Sequence, residues 1–153
     1  MQNLPRVHWV YGCTSISVAN VVEEETKKRD DSYVIIDYDV IKRKYFCRFA
    51  TFLGSKYMGE ETAIIENFCI YTRDKFELSR IKKLFMLFSP HVCRLQLVDH
   101  ERWKVRDIYV VSVQSPGEFY DSLPAKMRPS TKESFINMFY SIRHMTRVIE
   151  LAI

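Results

Sequence analysis

Two clusters of side chains in this sequence have the types and spacing for acid–base chemistry. Asp37-Tyr38-Asp39 follows a β-branched run and precedes an amphipathic stretch, which is where α/β proteins place catalytic or metal-binding carboxylates. Asp39 also has the type and position of a helix N-cap, and the helical spacing that begins at Ile41 favours capping over catalysis. Asp99-His100-Glu101-Arg102 leaves a second strand-like run, and a histidine beside two carboxylates could act as general acid or base. No serine or cysteine nucleophile motif accompanies it, so a polar loop is the stronger reading and no catalytic residue is assigned.

Metal and cofactor chemistry find little footing. His8, His91 and His144 have neither the i, i+4 pairing nor the nearby cysteines of a metal site, and they read as structural or surface residues. Cys13, Cys47, Cys69 and Cys93 contain no close pair, so core thiols are preferred to a zinc site or a disulfide framework. The glycines, Gly12, Gly54, Gly59 and Gly117, do not fall at dinucleotide or P-loop spacing. No cofactor is expected, and nucleotide use would need an unfamiliar site.

Basic and aromatic side chains offer binding instead. Lys42, Arg43, Lys44 and Arg48 share one helical stretch and Arg80, Lys82 and Lys83 the next; packed side by side they would form a positive surface able to contact phosphates. The same residues also read as the solvated faces of two amphipathic helices. Tyr11, Tyr38, Tyr71 and Trp103 each follow a strand-like run, where they could stack on bases, anchor a protein partner, or form the rim of the core.

The elements that must position these groups follow from composition and periodicity. The 153 residues are 47% hydrophobic and 27% charged with a net charge of +4, which suits one domain folded throughout and falls short of a dedicated nucleic-acid binder. No run reaches the length of a membrane helix and no secretory signal is evident, so a cytoplasmic or nuclear location without membrane contact is expected. Helical periodicity marks four stretches. One is capped by Thr14 or Ser15 and carries Ile16, Ala19 and Val22, with Glu23/Lys27 and Glu24/Lys28 pairs; one runs from Asp39 to Gly54; one has an Asp74/Glu77 capping box and ends before Pro90. The fourth has a Ser130/Glu133 box and continues through Phe135, Met138, Phe139 and Ile142. Between them lie strand-like runs at Val7–Tyr11, Tyr33–Ile36, Ile64–Tyr71, Val92–Val98, Ile108–Val113 and Arg147–Ile153.

This alternation predicts an α/β domain with mainly parallel strands, built as a doubly wound sheet or as a solenoid of helix–strand units. Residues 99–130, with Pro116, Pro124 and Pro129, read as an irregular insertion. A period of 27 residues places Ile65, Phe68 and Ile70 in register with Val92, Leu95 and Leu97, and two periods further on Ile149 and Leu151 match Leu95 and Leu97. Ile65-x-x-Phe68-x-Ile70 and Val92-x-x-Leu95-x-Leu97 resemble the core of leucine-rich repeats in the irregular form found in F-box proteins, although Arg73 and His100 stand at the Asn or Cys position. The Skp1-binding helical segment of such proteins is not found here. The resemblance implies outward-facing residues on the strands. Asn67, Tyr71, Arg94 and Gln96, edged by Arg73, His100, Arg102 and Trp103, would form the patch that meets a protein partner. The leading expectation is therefore a non-enzymatic interaction module, acting alone or as a subunit of a larger complex. Nucleic-acid binding through the basic helices is the alternative, and an α/β enzyme using strand-end carboxylates the third.

Overall fold

A computed structural model describes residues 5–12, 15–29, 32–37, 58–68, 105–128 and 131–145. Among them, five strands form one all-parallel sheet: β1 (Arg6–Gly12), β2 (Tyr33–Asp37), β3 (Thr62–Glu66), β4 (Asp107–Ser112) and β5 (Ser141–Met145), in the spatial order β2-β3-β4-β1-β5. The described helices are α1 (Ser15–Arg29), α2 (Pro116–Ser122) and α3 (Lys132–Asn137), with a 3-10 turn at Ala125–Met127 between the last two. The chain is α/β, and its first strand lies between its fourth and fifth. That order belongs to the doubly wound alternative, because stacked repeats keep their strands in chain order.

Each face of the sheet is covered by different helices. Val10, Ile64 and Val111 meet Val18, Ala19 and Val22 of α1 in one buried cluster. One residue along β1, on the opposite face, Trp9 packs edge-on against Phe68, Phe119 and Phe139, at centroid distances of 5.7, 5.4 and 5.1 Å. Phe119 of α2 stacks in turn on Phe68 and Phe135. Double coverage explains why β1 and β3 read as nearly continuous apolar runs, with Ile64 and Ile65 both fully buried. Consequently no open strand face exists over Thr62–Ile65. Phe68, Phe119 and Phe135, each fully buried, are each worth roughly 1.5–3 kcal/mol relative to exposure.

Three sequence expectations change. Residues 107–122 continue the alternation rather than interrupt it: Asp107–Ser112 is a central strand, and Ser115 starts α2 with a capping box in which its hydroxyl accepts from the Glu118 N–H while Glu118 accepts from the Ser115 N–H, both at 3.1 Å. Pro116, at the first turn of α2, helps to start the helix rather than to break structure. The fourth helical stretch is shorter than its periodicity suggests. Its cap is Thr131, accepting from Ser134 N–H at 3.2 Å, and the helix stops at Asn137. Ile142 then lies on β5, because the Tyr140 N–H bonds Val7 O at 2.8 Å and β1 recruits the following residues as a parallel edge strand. Finally, β3 ends at Glu66 rather than continuing to Tyr71, with Asn67 at a positive φ of 58°. Asparagine tolerates that conformation better than most residues. The expected helices at 39–53 and 74–88, and the strands at 92–98 and 147–153, fall outside the described residues.

Candidate functional site at the carboxyl edge of the sheet

Strand order determines where a crevice opens. The chain leaves β1 through α1 toward β2, and leaves β4 through α2 and α3 toward β5, so two neighbouring strands send their connections in opposite directions and over opposite faces. Right-handed crossovers require that arrangement. Between their carboxyl ends lies a topological switch point, the place where open α/β sheets bind ligands.

Gly12 ends β1 at this edge, just before α1. A Cβ there would lie 2.7 Å from both Met145 O and Val18 Cγ2, so the close approach of β1, β5 and α1 excludes any side chain. The first turn of the 15-residue α1 consequently packs against the end of β1, with its partial positive charge on this edge. Across the switch point, Ser112 donates to Phe68 O at 2.5 Å and accepts from the Gln114 N–H at 3.0 Å. Gln114 O accepts from the Trp9 indole at 2.8 Å, while its amide nitrogen donates to Ser122 Oγ at 3.1 Å. These bonds tie the carboxyl ends of β1, β3 and β4 into one rigid rim. The buried Gln114 Oε1 has no hydrogen-bond partner among the described residues.

Two carboxylates stand on the same edge. β2 and β3 both end in Ile-Ile-acid, and the strand register pairs Ile35 with Ile64, Ile36 with Ile65 and Asp37 with Glu66. Asp37 Oδ1 accepts from Asn67 Nδ2 at 3.1 Å. Burial, then the negative charges of Asp37 and Glu23, push the Glu66 carboxyl above the usual glutamate range. A half-buried acid that holds its proton more tightly than usual, on a strand end beside a second carboxylate, is suited to accept or donate a proton near a bound ligand.

Of the residues singled out from sequence, the structure places two here. Asp37 is at the strand end expected of it. Asn67, expected to face a partner, is half-buried and engaged with Asp37. Tyr71, Arg73, Arg94, Gln96, His100, Arg102 and Trp103 lie outside the described residues, as do Asp39, Asp99, Lys42, Arg43, Lys44, Arg48, Arg80, Lys82 and Lys83. Glu66, Ser112 and Gln114 were missed. The repeated Ile-Ile-acid ending could have revealed Glu66 beside Asp37, whereas Ser112 and Gln114 carry no comparable local signal.

No family model matches the sequence, and no match is found to a curated protein or to a solved structure. Among the described residues no helix is long and apolar enough to cross a membrane.

Proposed function

We propose that the chain is a ligand-binding α/β domain that takes a phosphate-bearing small molecule, a nucleoside phosphate being the leading class, at the carboxyl edge between β1 and β4. The switch point in the strand order carries this reading. Gly12 lets α1 start close against the ends of β1 and β5, so that α1 directs its positive end to this edge, and Glu66 with Asp37 supplies a proton acceptor one strand beyond β4. The reading departs from the glycine-rich loops of familiar nucleotide sites and rests on topology and close packing. It also makes the chain a candidate enzyme, with Glu66 as the group placed to accept a proton.

The test is thermal unfolding of the full chain with ATP, ADP, NADH and inorganic phosphate, each with and without magnesium. A ligand present at about 100 times its dissociation constant adds roughly 2.7 kcal/mol, or a rise of several degrees in Tm for a domain of this size. No shift with any of them at millimolar concentration would remove the reading.

A second reading, a protein-interaction surface, is favoured by the β5 edge. Ser141 to His144 are exposed, with Tyr140 65% and Ile142 44% exposed beside them. A photo-crosslinking residue at position 142 should capture one discrete protein partner in cells, and an array of weak, diffuse products would count against it.

A further inference from the structure

At the opposite edge of the sheet, the amino ends of β1, β4 and β5 bring together three side chains far apart in the chain. His8 Nδ1 lies 2.7 Å from Ser141 Oγ, and His8 Nε2 lies 2.9 Å from Asp107 Oδ1. Arg6 Nη2 donates to the other Asp107 oxygen at 3.0 Å. The imidazole is held in plane by stacking on Tyr109, with ring centroids 4.5 Å apart, and by the edge contact of Tyr140 at 5.3 Å. His8 is almost completely buried whereas Ser141 is exposed. An ionised Asp107 accepting from Nε2–H fixes the tautomer in which Nδ1 carries the lone pair, and the Ser141 hydroxyl then donates to it.

We infer that Ser141, His8 and Asp107 form a second, catalytic site in which Ser141 is the nucleophile, His8 its general base and Asp107 the positioning residue. Nucleophile, base and orienter meet within hydrogen-bonding distance, the arrangement that defines such a triad irrespective of fold. The imidazole nitrogens exchange their usual partners, with Nδ1 rather than Nε2 facing the serine. Ser141 and His8 border a cavity of about 500 Å³, a volume that suits a small molecule. Val10, Val22 and Tyr109 form its apolar wall, and Lys28, Arg29 and Arg143 contribute positive charge. Glu25 already holds Arg143, at 2.9 and 2.8 Å. Arg29 is held over the Tyr109 ring and donates to the Tyr109 hydroxyl, the Glu25 carbonyl and Thr26 Oγ1, neutral partners that leave its charge uncompensated; with Lys28 it therefore selects an aliphatic acyl group that ends in an acid, and the substrate class is the ester of such a group.

The reaction balances as hydrolysis. Ser141 Oγ bonds the ester carbonyl carbon as its proton passes to His8 Nδ1, and the alcohol leaves with that proton as its C–O bond breaks. Water, deprotonated by the same nitrogen, then releases the acid and restores Ser141. The developing oxyanion needs a donor. The Tyr140 N–H points to Val7 O, so strand alternation turns the Ser141 N–H to the side of β5 away from β1, where no described strand pairs with it and it can serve.

The test treats the full folded chain with a fluorophosphonate probe and maps the labelled peptide, then measures turnover of mono-(4-nitrophenyl) glutarate against 4-nitrophenyl butyrate. We expect a label on Ser141, hydrolysis above the buffer rate, and at least a tenfold preference for the glutarate ester. His8→Gln, which keeps hydrogen bonds but no base, should lower labelling 100-fold or more with the circular dichroism spectrum unchanged. Asp107→Asn should lower kcat with little change in KM. An unlabelled Ser141 in folded wild-type protein overturns the site, and equal turnover of the two esters overturns the assigned substrate. Neither outcome depends on ligand binding at the carboxyl edge.

Discussion

Gly12 has no room for a side chain, and this is the most local test of how β1, β5 and α1 meet. Gly12→Ala would place a methyl group 2.7 Å from a backbone carbonyl and from Val18, and overpacking of this kind costs about 1–3 kcal/mol. Urea denaturation should register that loss; stability unchanged within a few tenths of a kcal/mol would show that the approach is looser than described. Glu66 supplies a second residue-scale prediction. Because the folded chain holds the Glu66 proton above the pH at which an unfolded glutamate, with a pKa of about 4.3, releases it, the folded state binds more protons in that window. Stability therefore falls as pH rises through it, and Glu66→Gln should gain on the wild type above the window while matching it below. Asp107 has the opposite sign. Burial alone would raise its carboxyl, but hydrogen bonds from His8 and Arg6 outweigh burial and hold it below the usual range. Its contribution is present above the ordinary aspartate pKa and is lost as pH falls through the depressed value. Thermal melts from pH 3 to 8 on wild type and Glu66→Gln would separate the two. Parallel curves for the two proteins would contradict the Glu66 assignment.

At the scale of elements, α2 shows how a seven-residue helix persists in a doubly wound fold. It is closed at its start by the reciprocal Ser115/Glu118 bonds and fastened to the sheet by Phe119. Ser115→Ala should cost about 1 kcal/mol, measured by the shift of the urea midpoint at unchanged slope; a smaller effect than a few tenths would mean that Phe119 packing alone holds the helix. The elements were legible to different degrees. Val7–Tyr11, Tyr33–Ile36 and Ile108–Val113 declared β1, β2 and β4 by β-branched residues buried on one or both faces, and Ala19 and Val22 declared the buried stripe of α1. Phe135, Met138, Phe139 and Ile142 were misleading, because i, i+3, i+4, i+7 spacing matches a helix even where the chain turns into a strand at Tyr140. The pairing partner β1 decides that segment, and it lies more than 130 residues earlier.

For the molecule as a whole, strand alternation was readable and strand order was not. Nothing local in Arg6–Gly12 says that it will lie between β4 and β5, yet that placement creates the switch point on which the proposed carboxyl-edge site rests. The candidate site was legible to the same extent. Asp37 could be suspected from its place after a strand, while its pairing with Glu66 required the register of β2 against β3, and the apolar Ile64–Ile65 run disguised Glu66 as part of a repeat. Likewise His8, read as a solitary histidine, acquires its two partners from residues 99 and 133 positions away. The most direct test of the central claim is amide hydrogen exchange on the full chain with and without whichever nucleoside phosphate stabilises it. Slower exchange is expected in peptides covering the end of β1 with the start of α1 and in those covering residues 62–68, with β5 and the amino edge unchanged. Protection confined to β5 or the amino edge, with none at the ends of β1 and β3, would contradict it.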